Sequence, residues 1–153
     1  MAIEEIFNFI RIDDNTLTAG QPSEDQLADV AKAGCDLVIN LATIDPQYSL
    51  DDEENSCRSL EMTYLHIPVE WTAPKVEDYQ AFEIAMGEAV GKRILVHCAA
   101  NYRATAFYAV YAKQTLGWSN EDAQTLITRI WKSNPEWKMD DVWKGFLAAI
   151  DVS

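Results

Sequence analysis

Ile94-Leu95-Val96 runs straight into His97-Cys98-Ala99-Ala100-Asn101-Tyr102-Arg103-Ala104-Thr105, and a helix-compatible stretch continues to about Leu116. An apolar strand, a loop from cysteine to arginine and then a helix place a thiol over an anion cradle. Loop amides and the positive end of the helix both favour an anion there. The same field favours a thiolate over a thiol. Arg103 adds a planar fork that matches phosphate oxygens. The alternative for Arg103 is a solvent-facing helix residue. One segment thus offers a nucleophile (Cys98), backbone donors (Ala99, Ala100, Asn101, Tyr102 and Arg103) and an electrophilic clamp (Arg103).

Outward from this loop the chain alternates strands and helices. Ile6–Ile12 and Asn15–Ala19 read as short strands around the turn Asp13-Asp14-Asn15. Ser23 with Gln26 forms a capping-box pattern, and Leu27, Val30, Ala31 and Gly34 share a helical face that Gly34 closes. Leu37–Leu41 is a buried strand. A helix over about Leu50–Leu60 and the strand Thr63–Ile67 come next. The following helix carries Tyr79, Phe82, Met86, Ala89 and Val90 and ends at Gly91. Helices are expected over about Arg103–Leu116, Glu121–Lys132 and Asp140–Ile150, with Ser119 capping the second. This order predicts a single α/β domain over 1–153, with a largely parallel central sheet covered by helices on both faces. Cys98 then lies at the carboxyl end of a strand, where such sheets bind ligands.

Composition narrows the function. The chain has 153 residues, 48% of them hydrophobic, enough for one core without staples. A net charge of −13 repels nucleic-acid backbones, so no nucleic-acid partner is expected. No apolar run is long enough to span a bilayer, so no membrane partner is expected either. The start, Met1-Ala2-Ile3-Glu4-Glu5, has no basic region followed by an apolar core. Cys35, Cys57 and Cys98 are odd in number and widely spaced, which points to a reducing compartment. The expectation is cytoplasmic, or periplasmic if a signal peptide has been removed. Asp51-Asp52-Glu53-Glu54 reads as a solvated helix start.

The loop resembles the active-site loop of the cysteine-dependent tyrosine and dual-specificity phosphatases: His-Cys, five residues, Arg, then Ser or Thr. Here four residues separate Cys98 from Arg103. Asn101 stands where that family commonly has Gly, and Asn also tolerates a left-handed backbone. Leu17-Thr18-Ala19-Gly20-Gln21-Pro22-Ser23, Asp36–Leu41 and Leu65-His66-Ile67-Pro68-Val69 follow the order of the bacterial phosphatase-like family named after the beta-lactamase-hydrolase-like proteins. The resemblance implies a cysteine-phosphatase fold. It also implies a phosphatase of the protein-tyrosine or dual-specificity type, acting on a phosphate monoester through a phosphocysteine. It makes His97 and Thr105 loop-supporting and Cys98 and Arg103 catalytic. The partner it implies is a phosphorylated protein or small molecule, or a phosphate or sulfate anion. No cofactor is implied.

Such a phosphatase needs a general acid, which in the related enzymes is an aspartate in a loop before the cysteine. Here that loop carries Glu70, the assigned acid, with Glu77 and Asp78 in the next helix and Asp45 after another strand. Trp71 reads as either a substrate-stacking residue or a cover over the core. Cys35 and Cys57 read as core residues. His66 and His97 lack ligand-spaced neighbours, so no metal is expected. Two other function classes stay open. A rhodanese-like sulfurtransferase also has four residues between its cysteine and arginine. A catalytically weak phosphate- or phosphoprotein-binding module would keep the anion site without turnover.

Overall fold

The computed structural model describes residues 2–132 and 139–151. After a 3-10 turn, Ala2–Glu5, the elements are β1 (Ile10–Asp13), β2 (Thr16–Ala19), α1 (Glu24–Lys32), β3 (Leu37–Asn40), α2 (Glu53–Ser59) and β4 (Thr63–His66). They continue with α3 (Val76–Glu88), β5 (Ile94–His97), α4 (Tyr102–Thr115), α5 (Asn120–Trp131) and α6 (Asp141–Ile150). The strands form one sheet in the order β1-β2-β5-β3-β4. Only the β1–β2 pair is antiparallel; β2–β5, β5–β3 and β3–β4 are parallel. The α/β architecture with a largely parallel sheet is the expected one.

Strand periodicity sorts the core into two. Ile94 and Val96 of β5 and Leu37 and Ile39 of β3 join a cluster with α3, α4, α5 and α6. Leu95, Val38 and Leu17 join the opposite cluster with Leu27 and Val30 of α1, Cys57 of α2 and Ile3 and Ile6. Successive side chains of a strand point to opposite faces, so each buried strand feeds both layers. Helix α4 is buried from Arg103 to Ala112. Ala104, Ala106, Ala109 and Ala112 let its neighbours approach closely.

The caps follow the sequence. Ser23 and Gln26 exchange both capping-box bonds, and Ser119 does the same with Asp122. One expectation fails at the N-terminus: no strand covers Ile6–Phe9, and β1 begins at Ile10. Phe9 N donates to Ile6 O, and Asn8 has φ 53°. Asn8 is held by the cysteine loop, donating from Nδ2 to Ala100 O and accepting from Asn101 Nδ2. Those bonds replace a sheet ladder.

Candidate active site

Strand β5 is central in the sheet. His97 sits in register between Ala19 of β2 and Asn40 of β3. The chain then leaves the sheet, with Cys98 N donating to Ala19 O at 3.3 Å. Asn101, at φ 72° and ψ 3°, makes the left-handed turn into α4. Ala99 O accepts from Gln21 N, and Ala100 O accepts from Asn8 Nδ2. Thr105 Oγ1 donates back to Asn101 O at 2.7 Å. Behind the loop, a Cβ on Gly20 would lie 2.7 Å from Ala99 O. Only glycine admits that approach. The segment Gly20-Gln21 therefore backs the loop, a role sequence reading missed; its one signal is a Gly directly after a strand end.

The carbonyls of Ala99 and Ala100 are thus engaged. The amides of Ala99, Ala100 and Arg103 have no hydrogen-bond partner among the described residues. Asn101 makes no side-chain cap on α4 among the described residues, and a helix N-terminus of this kind favours an anion. Beside them opens a cavity of about 560 Å³ lined by Cys98, Ala99, Ala100, Tyr102 and Arg103, with Phe7, Thr43, Asp45, Gln47, Tyr48 and Trp71. Four of the five expected anion-holding positions line it. Asn101 does not. Its side chain is buried and donates to Asn8 O and to Thr18 Oγ1, which pins the loop to β2.

Arg103 is only 5% exposed, so it is not a solvent-facing helix residue. Its guanidinium donates to Val69 O at 2.8 Å and lies 6.0 Å from the Trp71 ring centre. No carboxylate pairs with it among the described residues. A buried guanidinium without a counter-ion is costly unless an anion completes it.

His97 lies beneath the loop, fully buried. Its Nδ1 is 3.2 Å from Cys98 O, and its Nε2 is 2.5 Å from Glu53 Oε2. Glu53 Oε1 accepts from Gln21 Nε2 at 2.9 Å. Burial pushes the Glu53 carboxyl up, but the His97 hydrogen bond and charge and the Gln21 bond outweigh it. Its pKa falls below the ordinary 4.5. This corrects the reading of 51–54 as a solvated run. Asp51, Asp52 and Glu54 are exposed, whereas Glu53 points inward and is 7% exposed.

Of the carboxylates proposed as acid, Glu70 is exposed and does not line the cavity. Asp45 does line it. Its Oδ1 accepts from Gln47 N, and its carbonyl accepts from Tyr48 N and Ser49 N, a turn that holds it after β3. Glu77 and Asp78 occupy the first turn of α3. Trp71 borders the cavity and is also packed into the core. It stacks on Trp131 at 5.4 Å, with its carbonyl accepting from Trp143 Nε1.

Cys35 and Cys57 are buried in the second core. Burial pushes their thiols up to about 11 and about 12. Among the described residues, no group of three or more His, Cys, Asp or Glu side chains is placed to hold a metal ion. No helix among them is long and apolar enough to cross a membrane.

No family model matches the sequence. Among solved structures, the chain is similar to the "Putative phosphatase (DUF442)" of Shewanella putrefaciens CN-32. The TM-score is 0.84 and the identity 32%, covering 97% of this chain and 93% of that one. It also resembles Tk-PTP in its active form, with TM-score 0.74 and 22% identity, over 94% of this chain and 96% of that one; this likeness shows the fold. The "Beta-lactamase hydrolase-like protein" of Xylella fastidiosa (strain Temecula1 / ATCC 700964) is 32% identical over 104 residues, 66% of this chain. The chain spans about a quarter of that curated relative, 24% of its length. Sequence shared along nearly the whole Shewanella protein, on the same fold, makes this chain a member of the DUF442 family of phosphatase-like proteins.

Proposed function

We propose that the protein is a cysteine-dependent phosphatase acting on a phosphate monoester. The observation that carries this reading is Arg103, a buried guanidinium with no carboxylate partner among the described residues, lining the same cavity as Cys98. A tetrahedral dianion supplies the missing counter-charge and can accept from the amides of Ala99, Ala100 and Arg103, which have no partner among the described residues. The Cys98 sulfur attacks phosphorus as the bond to the leaving oxygen breaks, and Asp45 gives that oxygen its proton. Water then attacks the phosphocysteine, the P–S bond breaks, and Asp45 takes the proton back. Asp45 replaces Glu70 in this assignment because it lines the cavity and Glu70 does not.

The test is hydrolysis of p-nitrophenyl phosphate by the parent protein and Cys98→Ser, with thiosulfate-to-cyanide sulfur transfer measured on the same preparations. Phosphatase turnover that vanishes in Cys98→Ser supports the reading. Sulfur transfer without phosphate hydrolysis moves the protein to the sulfurtransferase class. Tungstate binding without either activity makes it a binding module.

A further inference from the structure

Each ring nitrogen of His97 faces an oxygen acceptor: Nδ1 the Cys98 carbonyl, Nε2 the Glu53 carboxylate. With Glu53 ionised, both contacts are hydrogen bonds when both nitrogens carry hydrogen. The ring is fully buried, so a charge on it would have no water to lean on. Glu53 is the group that compensates it, at 2.5 Å. Glu53 is in turn held by Gln21, whose own amide N–H donates to Ala99 O in the cysteine loop. Carboxylate, imidazole, cysteine carbonyl and loop thus form one closed circuit of hydrogen bonds under the nucleophile.

We propose that Glu53 is a positioning residue for Cys98. Acting through His97, it holds the imidazole doubly protonated, which fixes a positive charge one residue from the thiol and braces the loop carbonyl. The proposal rests on Cys98 being the nucleophile. Glu53 does not line the cavity.

The sign of the effect separates this role from simple electrostatics. A carboxylate near a thiolate disfavours it directly, so removing Glu53 would make Cys98 more reactive. Acting through His97, the same removal makes Cys98 less reactive, because the imidazole loses the partner that keeps its charge. The other titratable groups facing the pair are His66 and Tyr64 of β4 and Cys57 of α2. Burial pushes Tyr64 and Cys57 up to about 12, so neither changes charge between pH 5 and 9.

The experiment is the pH profile of iodoacetamide alkylation at each cysteine, followed by peptide mass spectrometry. It covers the parent, Glu53→Gln, Glu53→Asp, His97→Asn, the double variant Glu53→Gln/His97→Asn and His66→Asn. In the parent, Cys98 must react faster than Cys35 and Cys57; if it does not, the nucleophile reading fails before Glu53 is at issue. With that satisfied, Glu53→Gln is expected to slow Cys98 alkylation at pH 7 about tenfold, a profile displaced by about one pH unit. Glu53→Asp should recover part of the loss. Glu53→Gln should add no further slowing to His97→Asn. His66→Asn should leave the profile in place. An unchanged or faster Cys98 in folded Glu53→Gln overturns the proposal, and so does an equal shift in His66→Asn. Should Glu53→Gln not fold, Glu53→Asp against the parent decides: a profile that does not move, or moves to lower pH, overturns it.

Discussion

The guanidinium of Arg103 and the backbone carbonyl of Val69, 34 residues apart in sequence, are joined by a 2.8 Å hydrogen bond. The bond ties the start of α4, beside the cysteine loop, to the segment that follows β4 and orients the guanidinium. A hydrogen bond from a charged donor contributes about 1.5–3 kcal/mol. Arg103→Lys keeps the charge and loses both the fork and this orientation. It is expected to weaken tungstate binding at least about tenfold, which corresponds to about 1.4 kcal/mol. Titration calorimetry reads this directly. Parent-like affinity in both Arg103→Lys and Arg103→Ala would remove Arg103 from the site.

Acid should act on Glu53. Its pKa in the folded protein is depressed below 4.5, so the stability it contributes is present above that value and lost as pH falls through the folded value. At pH 7, Glu53→Gln should therefore cost about 1–3 kcal/mol, the range for a disrupted buried polar contact. Well below pH 4.5 the gap between parent and variant should narrow. Urea midpoints at pH 7 and pH 3 check this; a gap that stays constant or widens on acidification contradicts the assignment.

Removal of a general acid hurts poor leaving groups most. Asp45→Asn is expected to lower turnover of an alkyl phosphate about 10²–10⁴-fold, the usual contribution of a positioned acid, with a smaller loss on p-nitrophenyl phosphate. Glu70→Gln should leave both rates near the parent's. The reverse selectivity would return the role to Glu70 in spite of its exposed position.

Two glycines make a matched pair. A Cβ on Gly20 meets Ala99 O at 2.7 Å and Phe7 O at 3.0 Å, both backbone atoms. Gly20→Ala should cost about 1–3 kcal/mol by overpacking and should lower phosphatase activity by shifting the loop. Gly87 lies inside α3, and nothing lies within 4 Å of a Cβ there. Gly87→Ala should instead stabilise by about 0.5–1 kcal/mol without touching activity. Thermal unfolding of the two variants distinguishes a packed backing of the loop from an ordinary helix surface; similar shifts in both would deny Gly20 its role.

Much of this was legible in the sequence, because the signals were local. Ser23 with Gln26 and Ser119 with Asp122 are capping patterns of four residues, and both form. Leu95 between Ile94 and Val96 is a strand buried on both faces, and the two cores divide there. What stayed hidden depends on contacts across long stretches of chain. Asn8 leaves the expected strand because Ala100 and Asn101 take its hydrogen bonds. Glu53 sits among exposed acids and carries no mark of its own. Its inward turn is set by His97, 44 residues later. Asp45 and Glu70 each follow a strand end, and only the packed loops show which one borders the cavity.

The place of β5 also bears on how the chain is made. β2 and β3 are not neighbours; β5 lies between them and pairs in parallel with both. During synthesis, the slot for the strand that carries the cysteine stays empty until residue 97 has emerged, leaving β2 and β3 each with an unpaired edge. Non-local parallel pairings of this kind close slowly, and exposed edges in partly made chains attract other strands. The arrangement that puts Cys98 at the middle of the finished sheet therefore makes its strand a late arrival, and the long wait for it is where aggregation competes with folding.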